Sequence, residues 1–189
     1  MSVDETLTRL ATCLSLQEFR DKAGPAVPAL TRLLGHSNLS TRGLAAATLG
    51  TIGAGASPAV PSLLSLLEDK EEFVRTRAIS SLARIGAKSK EAVTVLLRVL
   101  KTGTGDMPQR ALYALAAVSP EPGAIVPRMA QSLANDDSDI REAAARALGR
   151  IGPAALNAVT ALEKAILDSD EKVREAARKA LLKIRCAGK

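Results

Sequence analysis

The 189-residue sequence has no tryptophan, one tyrosine and two phenylalanines, so aromatic residues make up 2% of the chain. A sandwich, a barrel or an aromatic cage needs large flat side chains, and this composition argues against all three. Histidine is nearly absent too. His36 stands alone, which excludes a metal site assembled from imidazoles. Cys13 and Cys186 lie near opposite ends with no Cys-x-x-Cys spacing, so neither a disulfide framework nor a zinc site is predicted. A reducing, cytoplasmic setting is the expectation. The first residues, Met1-Ser2-Val3-Asp4-Glu5, lack the basic start and apolar run of a secretory signal, and the mature chain is expected to begin there.

What the sequence does have is small and aliphatic. Apolar residues reach 47%, nearly all Ala, Leu, Val and Ile, and charged residues reach 24%, too many apolar groups for a disordered chain. The net charge of +6 suits an acidic partner, a nucleic acid or an anionic surface without choosing among them. From Gly43 to Leu67 there is no charge at all, a run as long as a membrane span. Gly50, Gly53, Gly55, Pro58 and Pro61 interrupt it, and no membrane association is expected.

The dominant signal is a period of 33 residues. Val27, Val60, Val93, Val126 and Val159 recur at that interval, followed in register by Leu30, Leu63, Leu96, Met129 and Leu162. Ala45, Ala78, Ala111, Ala144 and Ala177 keep step, as do Leu49, Leu82, Leu115, Leu148 and Leu181. Val60, Leu63, Leu64 and Leu67 fall at helical spacing, and so do Val74, Ala78, Leu82 and Ile85, giving two amphipathic helices per unit. Prolines at Pro25 and Pro28, Pro58 and Pro61, or Pro127 are expected to open the first helix. Gly53, Gly86 and Gly152 are expected to end the second in a left-handed cap. A polar link such as Asn135-Asp136-Asp137-Ser138-Asp139 joins the two and supplies a cap. One hairpin cannot bury its apolar face alone, so stacked copies forming an all-α solenoid are predicted.

Residue identities narrow the family. The tryptophan and tyrosines of the tetratricopeptide pattern and the Thr-Pro-Leu-His turn of ankyrin are missing. Asp69 stands six residues before Arg75 in Val74-Arg75, the same arrangement returns at Asp168 and Val173-Arg174, and a near copy is Asn135 with Ile140-Arg141. From about residue 24 onward this resembles the HEAT repeat in its short, phycobilisome-lyase-like form. The resemblance implies a right-handed superhelix of antiparallel helix pairs, with repeats near 24–56, 57–89, 90–122, 123–155 and 156–189. It also implies that Arg42, Asp69, Arg75, Arg141, Asp168 and Arg174 form a structural ladder within and between repeats. His36 and Thr41 depart from the pattern, so the first turn is expected to be held differently. Thr102 and Pro108 break it again, in a Gly-rich loop where Asp106 is expected to cap a helix starting near Pro108. That loop lacks the strand and Gly-Lys-Ser/Thr of a phosphate-binding loop.

No catalytic, cofactor or metal residues are assigned. The repeated His-Glu pairs of the HEAT-like deoxyhypusine hydroxylases are missing, since Ser37 follows His36. Architecture shared with phycobilin lyases does not by itself carry an activity. The resemblance implies that the second helices line a concave face. Two columns there stand out: Ala47, Ser80, Tyr113, Arg146, Lys179, and Thr51, Arg84, Ala117, Arg150, Lys183. Arg84, Tyr113, Arg146, Arg150, Lys179 and Lys183 are therefore the candidate partner-binding residues, suited to an acidic or extended protein segment. Nucleic acid held by the same basic stripe is the first alternative; a lyase-type or accessory subunit is the second. Between Lys22 and Glu68 the only charges are Arg32 and Arg42, whereas the last 33 residues hold thirteen, which reads as a polar capping repeat. Residues 1–22, with Leu7, Leu10, Leu14 and Phe19, are expected to form a leading helix over the charge-poor first repeat. The chain is expected to be a monomer, or to self-associate weakly where that cover is incomplete.

Overall fold

The computed structural model describes residues 24–186, the last of them by its backbone alone. The leading helix expected over residues 1–22, and Cys13 with it, lies outside the described residues. Among the described residues there is no strand, and ten α-helices follow one another in pairs. Contacts divide the chain into two units, Met1–Lys88 and Ser89–Lys189.

In the first unit, α1 (Val27–Leu33) and α2 (Leu39–Ile52) are followed by α3 (Val60–Ser65) and α4 (Glu72–Ile85). Proline in the first turn of α1 and α3 fixes φ where the missing N–H has no intrahelical acceptor. Asn38 starts α2, its side chain accepting from the N–H groups of Ser40 and Thr41 at 2.8 and 3.1 Å. Leu30, Leu49, Leu63 and Leu82 are fully buried between the helices, each contributing roughly 1.5–3 kcal/mol on transfer from water. Helices α2 and α4 pack together. Their approach is set by Gly50, where an added Cβ would fall 2.6 Å from Ser81 Oγ and 2.8 Å from Ser81 Cα. Ser81 Oγ donates to Ala46 O across the same crossing at 2.7 Å. Within the apolar run at residues 39–68, an 18-residue window reaches a mean hydropathy of 1.2. The run is not one rod: Gly53, at φ 73°, breaks it into α2, a 3-10 stretch over Gly53–Ala59, and α3.

The second unit contains α5 (Lys90–Thr102), α6 (Met107–Val118), α7 (Pro122–Ser132), α8 (Ser138–Ile151), α9 (Val159–Ala165) and α10 (Glu171–Cys186). Helices α6, α8 and α10, the second members of their pairs, pack side by side. The alanine column runs through both units, with Ala45, Ala78, Ala111, Ala144 and Ala177 all at 0% exposure. Helix backbones can approach closely where the side chain between them is a single methyl. The tightest approach in this unit mirrors the first: a Cβ on Gly149 would sit 2.9 Å from Ala180 Cα.

Four local expectations are corrected. Pro127 does not open its helix, because Pro122 starts α7 five residues earlier and Pro127 lies inside it. Only Gly86 ends its helix in the left-handed region; Gly53 and Gly152 have φ 73° and 70° with ψ −137°, a conformation that glycine alone reaches readily. Both lead into 3-10 stretches, Gly53–Ala59 and Gly152–Ala158, rather than a free turn. Asp106 occupies the N-cap position of α6 without making a capping hydrogen bond, and its carboxylate turns instead to Arg110, with Nε at 2.7 Å. Finally, the first turn, expected to be held differently, keeps the hydrogen bond of the Asp69 and Asp168 turns, with an imidazole nitrogen in place of the carboxylate oxygen. His36 Nδ1 accepts the Asn38 N–H at 3.1 Å, doing what Asp69 Oδ1 does for the Glu71 N–H at 3.0 Å.

Candidate binding groove and arginine–aspartate clamps

Helices α6, α8 and α10 present their outward residues along one side of the second unit, and a groove of about 450 Å³ runs across them. Tyr113 comes from α6, Arg146 and Arg150 from α8, and Lys179 and Lys183 from α10; Gly149 and Ala180 make its floor. The 33-residue register explains this convergence. Residues at equal places in successive units land at equal heights on neighbouring helices, so Tyr113, Arg146 and Lys179 form one row and Arg150 and Lys183 the next. Five of the six candidate residues are thus brought together. Arg84 belongs to the other unit, exposed on α4.

The two cationic rows differ electrically. Arg146 Nη2 lies 2.6 Å from Glu142 Oε1, and Lys179 Nζ lies 2.8 Å from Glu175 Oε1, both one helical turn back. The Lys179 ammonium holds the Glu175 carboxyl below its ordinary value, so this acid stays ionised. Arg150 and Lys183 have no ion pair or hydrogen bond among the described residues, and both are exposed. Burial pushes the Tyr113 phenol up, against the pull of the Arg146 guanidinium. It remains a neutral hydroxyl able to donate or accept. Glu142 and Glu175 were not among the sequence candidates, although the Glu-to-cation spacing of four residues marks them as partners.

The turns between paired helices carry a second constellation. Arg42 Nε and Nη2 donate to Asp69 Oδ2 and Oδ1 at 2.7 and 2.9 Å, while its Nη1 donates to the carbonyls of His36 and Ser37, both at 2.9 Å. Arg141 repeats this 99 residues later, gripping Asp168 at 2.8 Å through each nitrogen and bonding the carbonyls of Asn135 and Asp136. Each arginine thus ties its own turn to the next repeat. Hydrogen bonding to these guanidinium groups holds both carboxyls below their ordinary value, outweighing the opposing effect of burial. Arg75 and Arg174 make the turn half of the arrangement, donating to the carbonyls of Asp69 and Lys70, and of Asp168 and Ser169. Asp69 and Asp168 sit 27 residues after their arginines; 27 residues after Arg75 stands Thr102, which has no carboxylate.

Helix pairs repeated in register, clamped turn to turn, define an α-solenoid. The chain belongs to the HEAT-repeat family, whose model matches residues 54–116 and 105–182. No curated protein matches the sequence. Among solved structures it is similar to an engineered protein at 26% identity, with a TM-score of 0.71 over 97% of this chain and 90% of the other. A designed armadillo repeat protein in complex with the peptide (KR)4 shares the fold at 20% identity, with a TM-score of 0.73 over 97% and 93% of the two chains. The complex of CpcE and CpcF of phycocyanin lyase from Nostoc sp. PCC7120 is similar at 26% identity, with a TM-score of 0.67 over 97% and 73%.

Proposed function

We propose that this chain is a non-enzymatic protein-interaction scaffold whose second unit grips an acidic, extended polypeptide segment. The observation that carries the reading is the groove across α6, α8 and α10, where Arg150 and Lys183 present uncompensated charge beside the neutral Tyr113 hydroxyl. Peptide recognition along helical repeats is compatible with the fold, since a designed armadillo repeat protein is solved with (KR)4 bound. Charge complementarity gives this groove the opposite preference. A polynucleotide is the weaker fit: Glu142 and Glu175 neutralise alternate cations along the path a phosphate backbone would follow, and one tyrosine offers a single stacking surface. Among the described residues no three His, Cys, Asp or Glu side chains cluster as metal ligands would.

Fluorescence anisotropy with a labelled (Asp-Glu)4 peptide tests this at about 150 mM salt, where charges beyond roughly 8 Å are screened. Wild-type protein should bind it, and (Lys-Arg)4 should not. The double variant Arg150→Glu/Lys183→Glu should bind at least about tenfold more weakly, with thermal melting unchanged to within about 3 °C because both side chains are exposed. Equal affinity in the variant removes the groove from the proposal. Tighter binding of a labelled single-stranded oligonucleotide would favour the polyanion alternative.

A further inference from the structure

We propose, resting on the reading of the groove as a site for an acidic segment, that this segment is a polyproline II stretch carrying a carboxylate at every third residue. The spacing of the helices sets the period. A Cβ on Gly149 would fall 2.9 Å from Ala180 Cα, so α8 and α10 approach backbone to backbone at the groove floor. One C–C bond added to that distance, and the roughly 2.3 Å radius of each helix, put the two axes no more than about 9 Å apart. Arg150 and Lys183 hold equal places in successive repeats and are separated by the same step. They are the row that Glu142 and Glu175 leave uncompensated, so two carboxylates bound together must match that step.

An extended ligand crossing the helices can present acids in two ways. In a β-strand the side chains on one face recur at every second residue, about 6.7 Å apart, and the third residue points away from the floor. Polyproline II completes a turn in three residues of about 3.1 Å each, so every third side chain returns to the same face after roughly 9.3 Å. Only the second conformation matches the step from Arg150 to Lys183. Its backbone groups stay in water, which suits a floor of Gly149 and Ala180 that carries no polar side chain to bond a peptide backbone. On α6 the two rows continue into Ala117 and Tyr113, a buried methyl and a half-buried ring in place of cations. A proline of the segment meets there the kind of aromatic face on which polyproline II ligands pack. No stretch of this sequence places proline between acids three residues apart, so the segment belongs to a partner.

Three blocked, labelled peptides of equal length test the period with the full chain, by fluorescence anisotropy at about 150 mM salt. (Glu-Pro-Pro)4 and (Glu-Pro-Glu-Pro-Pro-Pro)2 have the same composition, but only the first has acids three residues apart. (Glu-Gly-Gly)4 keeps that spacing without the preformed helix. (Glu-Pro-Pro)4 should bind at least about threefold more tightly than either of the others. In Arg150→Glu/Lys183→Glu this preference should vanish. Equal binding of the two proline peptides, equal or tighter binding of (Glu-Gly-Gly)4, or a preference that persists in the double variant would each overturn the proposal. If (Asp-Glu)4 binds alongside any of these results, the groove keeps its preference for acids and only the polyproline II period is lost. If (Asp-Glu)4 fails as well, both readings fall.

Discussion

A guanidinium that bonds two carbonyls and one carboxylate does work a lysine could not, because only a planar fork reaches both sets at once. In the Arg141–Asp168 pair the side chains are 13% and 11% exposed, dry enough for the hydrogen bonds to matter and wet enough to limit desolvation. Asp168→Asn should cost about 2 kcal/mol at neutral pH, within the range for charge-assisted hydrogen bonds. The effect is pH-dependent with a definite sign. Arg141 lowers the folded-state pKa of Asp168 below its unfolded value near 3.9, so the unfolded chain binds the proton more readily. The stabilisation is complete above about pH 4 to 5 and disappears as the pH falls through the lowered folded value. Urea unfolding of wild type and variant should therefore differ at pH 7 and converge on acidification. A gap that stays constant to low pH would mean that the carboxylate charge is not what the clamp uses.

Between helices, the decisive contacts are the smallest. Gly149→Ala would gain roughly 0.5–1 kcal/mol of helix propensity, yet its Cβ meets the Ala180 backbone at 2.9 Å, and overpacking of this kind costs about 1–3 kcal/mol. A net loss of about 1–2 kcal/mol is expected in urea denaturation, whereas Gly123→Ala, whose Cβ finds only Ala154 O at 3.6 Å, should leave stability unchanged or slightly raised. Helix pairing and the buried columns were legible in the sequence because a constant 33-residue register repeats every core position, from Leu30 to Leu162. The arginine and aspartate positions recur in the sequence as well, but their pairing from turn to turn was implied by the HEAT resemblance and not by the register itself. What escaped were features without periodicity of their own. Gly53–Ala59 and Gly152–Ala158 wind into 3-10 stretches whose Gly, Pro and Ser content reads as loop. Pro127 resembles a helix start until Pro122 is seen to take that place, and the acids Glu142 and Glu175, which divide the groove into neutralised and open rows, show only as a four-residue spacing.

At the scale of the whole molecule, the question is whether binding responds to the net charge of +6 or to where a few charges sit. Screening decides it: at about 0.15 M ionic strength the Debye length is roughly 8 Å, so a cation counts only if it lies next to the ligand. Arg128 and Lys164 provide the comparison. They stand on α7 and α9, the first members of their pairs, where each lines a hollow separate from the groove. Arg128→Glu/Lys164→Glu removes the same net charge as Arg150→Glu/Lys183→Glu. The first variant should change affinity for (Asp-Glu)4 by less than about twofold and the second by at least about tenfold. Both should be measured by anisotropy over a range of salt concentrations. Because Glu142 and Glu175 already neutralise Arg146 and Lys179, the wild-type salt dependence should correspond to about two charges rather than four. If the two double variants lose affinity equally, the attraction is a property of the whole surface, and the row formed by Arg150 and Lys183 has no special part in it.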